Sequence, residues 1–413
     1  MRRTAFSQLS WRVVAGLLTV GSAVLVSFGV GLATQGVLAT TSSLVAALSV
    51  LTGAGFTHAV AFTVARRPVG SGTNLRGAVA ASTATSLVLG IVVAVAGSNV
   101  LPTMPVLWWG VAVALPFFQV GQFGLGLQQG LGSSRGYVTV LIAAPVMTFA
   151  VAVIAAVTGV RSEGATLWAW PLLVMPPIAQ ATIVAWQWRQ LPHDGPDSLR
   201  MLISYTARIY PSAVAHFLSF RLDLLLVSAL VGATPAGIYS LALSGVDAVA
   251  RIGQTAATVL FRQFSDQDVA RAASVARRAA LLTALLGGLA GFVLAMGVVI
   301  GGRTRGPEVQ QLGVLLVILS VAGAAICAWT VLASYLAATN RLGASTRVNF
   351  TLLGLSVVIY LWLIPVIGVY GGAIGTSVGL LVAAVLGYWE VARASRPRLT
   401  SPTATLLRNP FGK

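Results

Sequence analysis

Residues 217–232, FLSFRLDLLLVSALVG, place Arg221 and Asp223 inside a run that otherwise has the composition of a lipid-embedded helix. A charge near the bilayer centre costs about 2.5–3.5 kcal/mol on insertion scales, so such groups turn toward protein or a watery cavity and find partners. The rest of the chain has to supply those partners.

That rest reads as membrane throughout. Of 413 residues, 57% are hydrophobic and 8% charged, and the mean hydropathy is +0.88. A span needs about 20 mostly apolar residues. Stretches of that kind run over 13–33, 37–64, 75–97, 104–130, 137–160, 164–188, 201–231, 235–261, 273–301, 309–338, 346–367 and 369–391. The opening Met1-Arg2-Arg3 precedes an apolar run longer than the core of a cleaved export signal, so it reads as a retained first helix. Cys327 is the single cysteine and rules out an intramolecular disulfide or a cysteine metal cluster. Lys413 is the single lysine, which excludes a Walker-type phosphate loop and a Schiff-base enzyme.

With the N-terminus in the cytoplasm the basic residues sort by side. Twenty fall inside, only Arg161, Arg303 and Arg305 fall outside, and Arg208, Arg221 and Arg251 lie within spans. The positive-inside bias therefore predicts both termini in the cytoplasm. The net charge of +17 then reports topology and contact with anionic lipid heads, not a nucleic-acid footprint. The polar break RQLPHDGPDSLR, 189–200, divides the chain. It predicts a six-helix bundle over 1–190, a cytoplasmic linker over 191–200, a second bundle over 201–392 and a basic tail over 393–413. Six spans per half make any structural relation between the halves a parallel repeat. LQQGLGSSRG and LAATNRLG, ending the fourth and tenth spans, are its faint trace in sequence.

At 100° per residue, Tyr205, Arg208, Ser212, His216, Ser219 and Asp223 share a face of about 80°. Arg221 points away from it, and Pro211 bends the phase. In the next span Ser240, Ser244, Asp247, Arg251, Gln254, Thr255, Thr258 and Arg262 form one stripe about 100° wide. Two adjacent polar faces are expected to line one cavity. The competing reading is local pairing, Asp247 with Arg251 at i, i+4 and Arg221 with Asp223 through a neighbour. His58 and His216 read as packing residues or proton carriers, and His193 as a solvated loop residue.

Other patterns reduce to packing. Gly375-Thr376-Ser377-Val378-Gly379 has the form of a hydrolase nucleophile elbow but lies within a span. Gly371, Gly375 and Gly379, like Gly287 and Gly291, form ladders for close helix approach. Trp108, Trp109, Trp168, Trp170, Trp186 and Trp188 fit an interfacial belt or a sugar-stacking surface. Gln119, Gln122 and Gln129 share a face that either bonds between helices or meets the cavity.

The stretch RLDLLLVSALVGATPAGIYSLALSGVDAVARIGQTAATVLFRQFSDQD, 221–268, resembles the seventh and eighth helices of bacterial polysaccharide flippases of the multidrug/oligosaccharidyl-lipid/polysaccharide (MOP) superfamily. The likeness rests on Leu222-Asp223, Gly232 and Gly237-Ile238-Tyr239-Ser240-Leu241-Ala242. It implies an all-α polytopic membrane protein of twelve transmembrane helices in two six-helix bundles, as in MATE and other MOP transporters. It also implies a central cavity of alternating access and export of an undecaprenyl-diphosphate-linked glycan. Joined to the polar faces, this assigns Arg208, Arg251, Arg221, His216, Gln254 and Ser244 to substrate and Asp247 or Asp223 to a coupling proton or sodium ion. No other cofactor is expected. Anionic lipids and glycan assembly proteins are the further partners. The N-terminal half departs from the family in placing only His58 clearly inside its spans. Rival readings are a MATE-type drug or cation antiporter, a membrane glycan polymerase or ligase, and a non-transporting scaffold.

Overall fold

The computed structural model describes residues 2–53, 57, 59–61, 64, 75–100, 105–131, 133–158, 165–188, 199–266, 268–302, 306–339 and 341–394. His58, His193, residues 191–198 of the linker and residues 395–413 of the tail lie outside them. Among the described residues twelve long α-helices follow in order: α1 Arg2–Leu25, α2 Leu32–Gly53, α3 Leu75–Val100, α4 Pro105–Gly130, α5 Ser134–Val157, α6 Ala165–Trp188, α7 Leu199–Leu230, α8 Ala233–Asp266, α9 Val269–Gly302, α10 Pro307–Ala338, α11 Leu342–Ile367 and α12 Val369–Ala394. A π-helical turn, Val26–Val30, closes the first. Among the described residues, eleven helices are long and apolar enough to cross a membrane. The helix outside that set is α8, whose polar stripe lowers its hydropathy.

The helices form two six-helix bundles with the same internal contacts. In the first, α1 packs on α5, α3 on α4, and α4 on α2 and α6; in the second, α7 packs on α11, α9 on α10, and α10 on α8 and α12. The central helices α4 and α10 are accordingly among the most buried spans. Their ends share a hydrogen-bond pattern. The Leu131 and Thr339 N–H groups reach back four residues to Leu127 and Tyr335, and those of Ser133 and Arg341 reach back five, to Gln128 and Leu336. The two turns singled out in the sequence thus share this pattern of backbone bonds. The first hairpin of each bundle also turns on a positive-φ glycine, Gly31 (φ 134°) and Gly232 (φ 114°), which a side chain would strain.

Cores differ between the halves. One continuous apolar cluster fills the second, from Leu224 through Trp329 and Tyr335 to Val391, and takes in Ala23 of α1. The first holds two smaller clusters, one around Leu115 and Val174, the other around Phe123 and Leu127. Gln119 lies between Leu115 and Phe123 on α4 and donates to Ser82 Oγ of α3 at 3.0 Å. The glycine ladders pack as expected: a methyl on Gly371 would strike the Leu363 backbone, one on Gly375 the Tyr360 ring, and one on Gly287 the Cys327 sulfur. Ser377 donates to the Ile318 carbonyl, a helix-packing bond.

The bundles meet along α1 and α2 on one side and α7 and α8 on the other. At the end bearing the α1–α2 and α7–α8 turns, backbone meets backbone. A methyl on Gly36 would collide with the Ala233 carbonyl oxygen, and one on Gly237 with that of Leu32. Beside this contact Gln35 donates to Ser240 Oγ at 3.2 Å. Farther along, the Tyr210 hydroxyl donates to the Leu51 carbonyl at 2.9 Å.

Candidate functional site: the seam between the halves

The polar stripe of α8 is the face turned to the first bundle. Ser240 meets Gln35, Arg251 reaches Thr19, and Thr258 meets Arg12. Arg251 Nη2 lies 3.5 Å from Thr19 Oγ1, with its stem against Gly16, where a methyl would sit 3.1 Å from Cδ and Nε. Glycine at position 16 thus makes the space into which a guanidinium folds. Gln254 is exposed and Ser244 half-buried, its hydroxyl donating to the Ser240 carbonyl at 2.9 Å.

Arg12 is a seam residue that the sequence reading assigned to the cytoplasmic margin. It is only 6% exposed. Its Nη2 donates to Tyr137 Oη of α5 at 3.1 Å and to Thr258 Oγ1 of α8 at 3.0 Å, and the guanidinium stands 5.5 Å from the Tyr137 ring centre. Arg12 and Arg251 are close enough to repel, and Asp247 is the carboxylate acting on Arg251. Burying two like charges together is costly unless an anion or solvent shares the site. Arg12 and Arg251 each retain a buried Nε that finds no partner among the described atoms. The signal was present in sequence: Arg12, Gly16, Thr19 and Ala23 recur at i, i+4, i+7 and i+11, one face of α1.

Asp247 forms its ion pair with Arg221 and not with Arg251, the partner that the i, i+4 spacing offered. Its Oδ2 lies 3.3 Å from Arg221 Nη2, across the fork between α7 and α8, and the two side chains are 44% and 31% exposed. The pair is thus open to its surroundings, the weak kind of bridge that a stronger partner can displace.

The polar face read along α7 faces its own bundle instead of the seam. Ser212 Oγ accepts from Asn349 Nδ2 at 2.9 Å, and the Ser219 carbonyl accepts from Tyr360 at 3.5 Å, both partners on α11. His216 is half-buried with its ring 4.6 Å from that of Phe220, and Arg208 is exposed. Asp223 is fully buried. Its Oδ2 accepts from Tyr239 Oη at 2.7 Å and Thr376 Oγ1 at 2.8 Å, and its Oδ1 from the Leu224 N–H at 2.7 Å. Tyr360 Oη lies 3.0 Å from Thr376 Oγ1 and completes the chain. Arg221 and Asp223, two residues apart, therefore point to opposite sides of α7, the first into the fork and the second into a sealed hydroxyl cage. Thr376 and the two tyrosines were missed as Asp223 partners because they come from three other helices, which no local spacing connects.

The motif that carried the family resemblance acquires a physical reading here. Gly237 permits the backbone contact with α2, Tyr239 caps Asp223, and Ser240 meets Gln35.

No family model and no curated protein matches the sequence. Solved structures do match in shape. The lipid II flippase MurJ in an inward closed conformation superposes with a TM-score of 0.71 at 10% identity, covering 94% of this chain and 90% of that one. The MATE multidrug transporter DinF-BH gives 0.65 at 13%, covering 95% and 94%. An inward-facing multidrug-resistance MATE transporter of the MOP superfamily gives 0.55 at 15%, again covering 95% and 94%. The chain shares the fold of these proteins.

Proposed function

We propose that this protein is a flippase that moves an undecaprenyl-diphosphate-linked oligosaccharide from the cytoplasmic to the outer leaflet of a bacterial plasma membrane by alternating access, with both termini cytoplasmic. The observation carrying this reading is the charge balance of the seam. Among the described residues, Arg12, Arg221 and Arg251 stand against one carboxylate, Asp247, because Asp223 is spent inside its own bundle. A diphosphate is the chemical group that such a set would hold, through charge-assisted and bidentate hydrogen bonds. Likeness in fold to a lipid II flippase supports a lipid-linked substrate.

In this reading Arg12 and Arg251 hold the diphosphate from opposite halves, with Arg208 at the margin. Ser244 and Gln254 contribute polar contacts to the glycan, and His216, on the α7 face turned to its own bundle, stands apart from them. Arg221 leaves Asp247 for the arriving phosphate, and Asp247 takes up a proton or sodium ion. Exchange of partners at an exposed ion pair ties ion binding to the movement of the halves. Asp223 is the second coupling candidate, acting only in a state where its hydroxyl cage opens.

Flipping of a fluorescent undecaprenyl-diphosphate-linked glycan in proteoliposomes tests the reading with Arg251→Ala and Asp247→Asn. Loss of flipping in the first and loss of ion dependence in the second are expected. Wild-type behaviour of both, at normal protein levels, removes these residues from the mechanism. Export of a lipophilic cation in place of the glycan, dependent on Asp247, would assign the chain to drug or cation antiport.

A further inference from the structure

A second cationic site lies away from the seam, on the outer surface of the second bundle. There α9 and α12 flank α10 and touch each other. At 34 residues α9 is about 51 Å long, far more than a hydrocarbon layer of about 30 Å, so its first turns extend to the headgroup level. Arg277 lies in those turns, with its guanidinium 6.0 Å from the ring centre of Tyr388 on α12. Its Nε is buried and finds no hydrogen-bond partner among the described atoms. Arg341, at the start of α11, reaches the Ala394 carbonyl at the end of α12 at 3.5 Å. Arg277 and Arg341 both act electrostatically on the Tyr335 hydroxyl of α10, which donates to the Val269 carbonyl at 3.3 Å. Arg277 from α9 and Arg341 from the start of α11 therefore both lie against the last two turns of α12, at Tyr388 and Ala394.

The local charge is not cancelled. The carboxylate that also acts on Tyr335 is Asp268, and Glu390 is committed to Arg347 at 2.9 Å. Exposed Arg278 and Arg393 add further positive charge at the rims, Arg393 lying 3.8 Å from the Trp389 ring centre. The partners of Arg277 and Arg341 are an aromatic face and a long carbonyl contact, both neutral.

What continues inward from this site is apolar and exposed. Leu281 and Leu285 follow Arg277 at i+4 and i+8 on α9 and are 55% and 71% exposed. Leu381 and Val385 precede Tyr388 at i−7 and i−3 on α12 and are 49% and 60% exposed. Residues so spaced share a helix face, so two apolar rows run down from a basic, aromatic head. A free phosphate would use the head alone; a phospholipid would use both. We propose that Arg277 and Arg341 bind the phosphate of an anionic phospholipid, with Tyr388 beside its glycerol region and an acyl chain between the Leu281–Leu285 and Leu381–Val385 rows. Arginine suits this role because its planar fork holds phosphate oxygens pairwise while its stem lies along apolar surface. The site is independent of the transported substrate.

Native mass spectrometry of the full-length protein, released from detergent with phosphatidylglycerol or phosphatidylcholine, tests the proposal. Phosphatidylglycerol adducts are expected in the wild type and should fall by about fivefold or more in R277Q/R341Q, with phosphatidylcholine adducts unchanged. The control R76Q/R135Q removes the same charge from helices of the first bundle and should retain the adducts. R277K/R341K should keep more than half of them, which separates lost charge from lost folding. Equal losses in R277Q/R341Q and R76Q/R135Q, or no loss in the former, would overturn the site. Displacement of the lipid by millimolar inorganic phosphate would show that the acyl rows contribute nothing, and would overturn it as well.

Discussion

The two halves repeat each other's helix contacts but use polar residues in opposite ways. In the first, neutral amides join helices: Gln119 bonds Ser82, Gln128 donates to Gln187 at 2.8 Å, Gln187 donates to the Gly136 carbonyl at 3.3 Å, and Gln180 donates to the Val140 carbonyl at 3.1 Å. In the second, a carboxylate is caged by hydroxyls and the charged stripe of α8 is turned outward, toward the partner half. An amide between helices is neutral, so one or two neighbours can hold it without an opening. A guanidinium carries five donors and a charge, so it collects where two bodies separate and water or an anion can enter. Among the described residues the first half contributes one such group to the seam, Arg12, and holds it with Tyr137 from its own bundle.

This contrast can be broken in steps of decreasing size. Gly237→Leu should have the largest effect, since a side chain there meets the Leu32 backbone and the halves cannot close at that end. Transport should be lost, and a cysteine at position 240 should become reactive to a membrane-impermeant thiol reagent; an active, unreactive variant would show that this contact is not a gate. Next come Arg12→Ala and Arg251→Ala. A charge-assisted hydrogen bond contributes about 1.5–3 kcal/mol, so each should lower the apparent affinity for a diphosphate lipid by about 10- to 100-fold. Equal losses from the two would place the site between the halves, whereas an effect from Arg251 alone would confine it to the second.

The cage around Asp223 should answer in stability instead. Tyr239→Phe or Thr376→Val leaves a buried carboxylate one donor short, at a cost of about 1–3 kcal/mol, measured by thermal unfolding in detergent. The smallest effect is expected from Gln119→Leu, because interhelical hydrogen bonds within membranes average about 0.6 kcal/mol. A loss from Gln119→Leu as large as that from Tyr239→Phe would erase the distinction between the halves.

Much of this architecture is legible in the chain because lipid leaves few options. Helices about 20 residues long must satisfy their own backbone, so apolar stretches mark the spans and glycine ladders mark close approach. The stripe of α8 was legible for the same reason, since eight polar residues on one face of a span admit only an inward or seam-facing orientation. What sequence did not reveal is which bundle a polar face meets. The Ser212–Ser219–Asp223 face of α7 carries as much polarity as that of α8, yet its partners Asn349, Tyr360 and Thr376 lie more than a hundred residues away. Arg221, off that face, is the residue that reaches Asp247. Arg12 escaped because a basic residue near a helix start also satisfies the positive-inside bias, and topology alone sufficed to explain it.

The central claim is that the seam's excess of guanidinium groups serves an anion. Equilibrium binding of undecaprenyl diphosphate, without its glycan, to the purified protein tests this most directly. The account predicts saturable binding that weakens about tenfold or more in R12A and in R251A and is competed away by pyrophosphate. Absence of such binding, together with saturable uptake of a lipophilic cation that D247N abolishes, would contradict it.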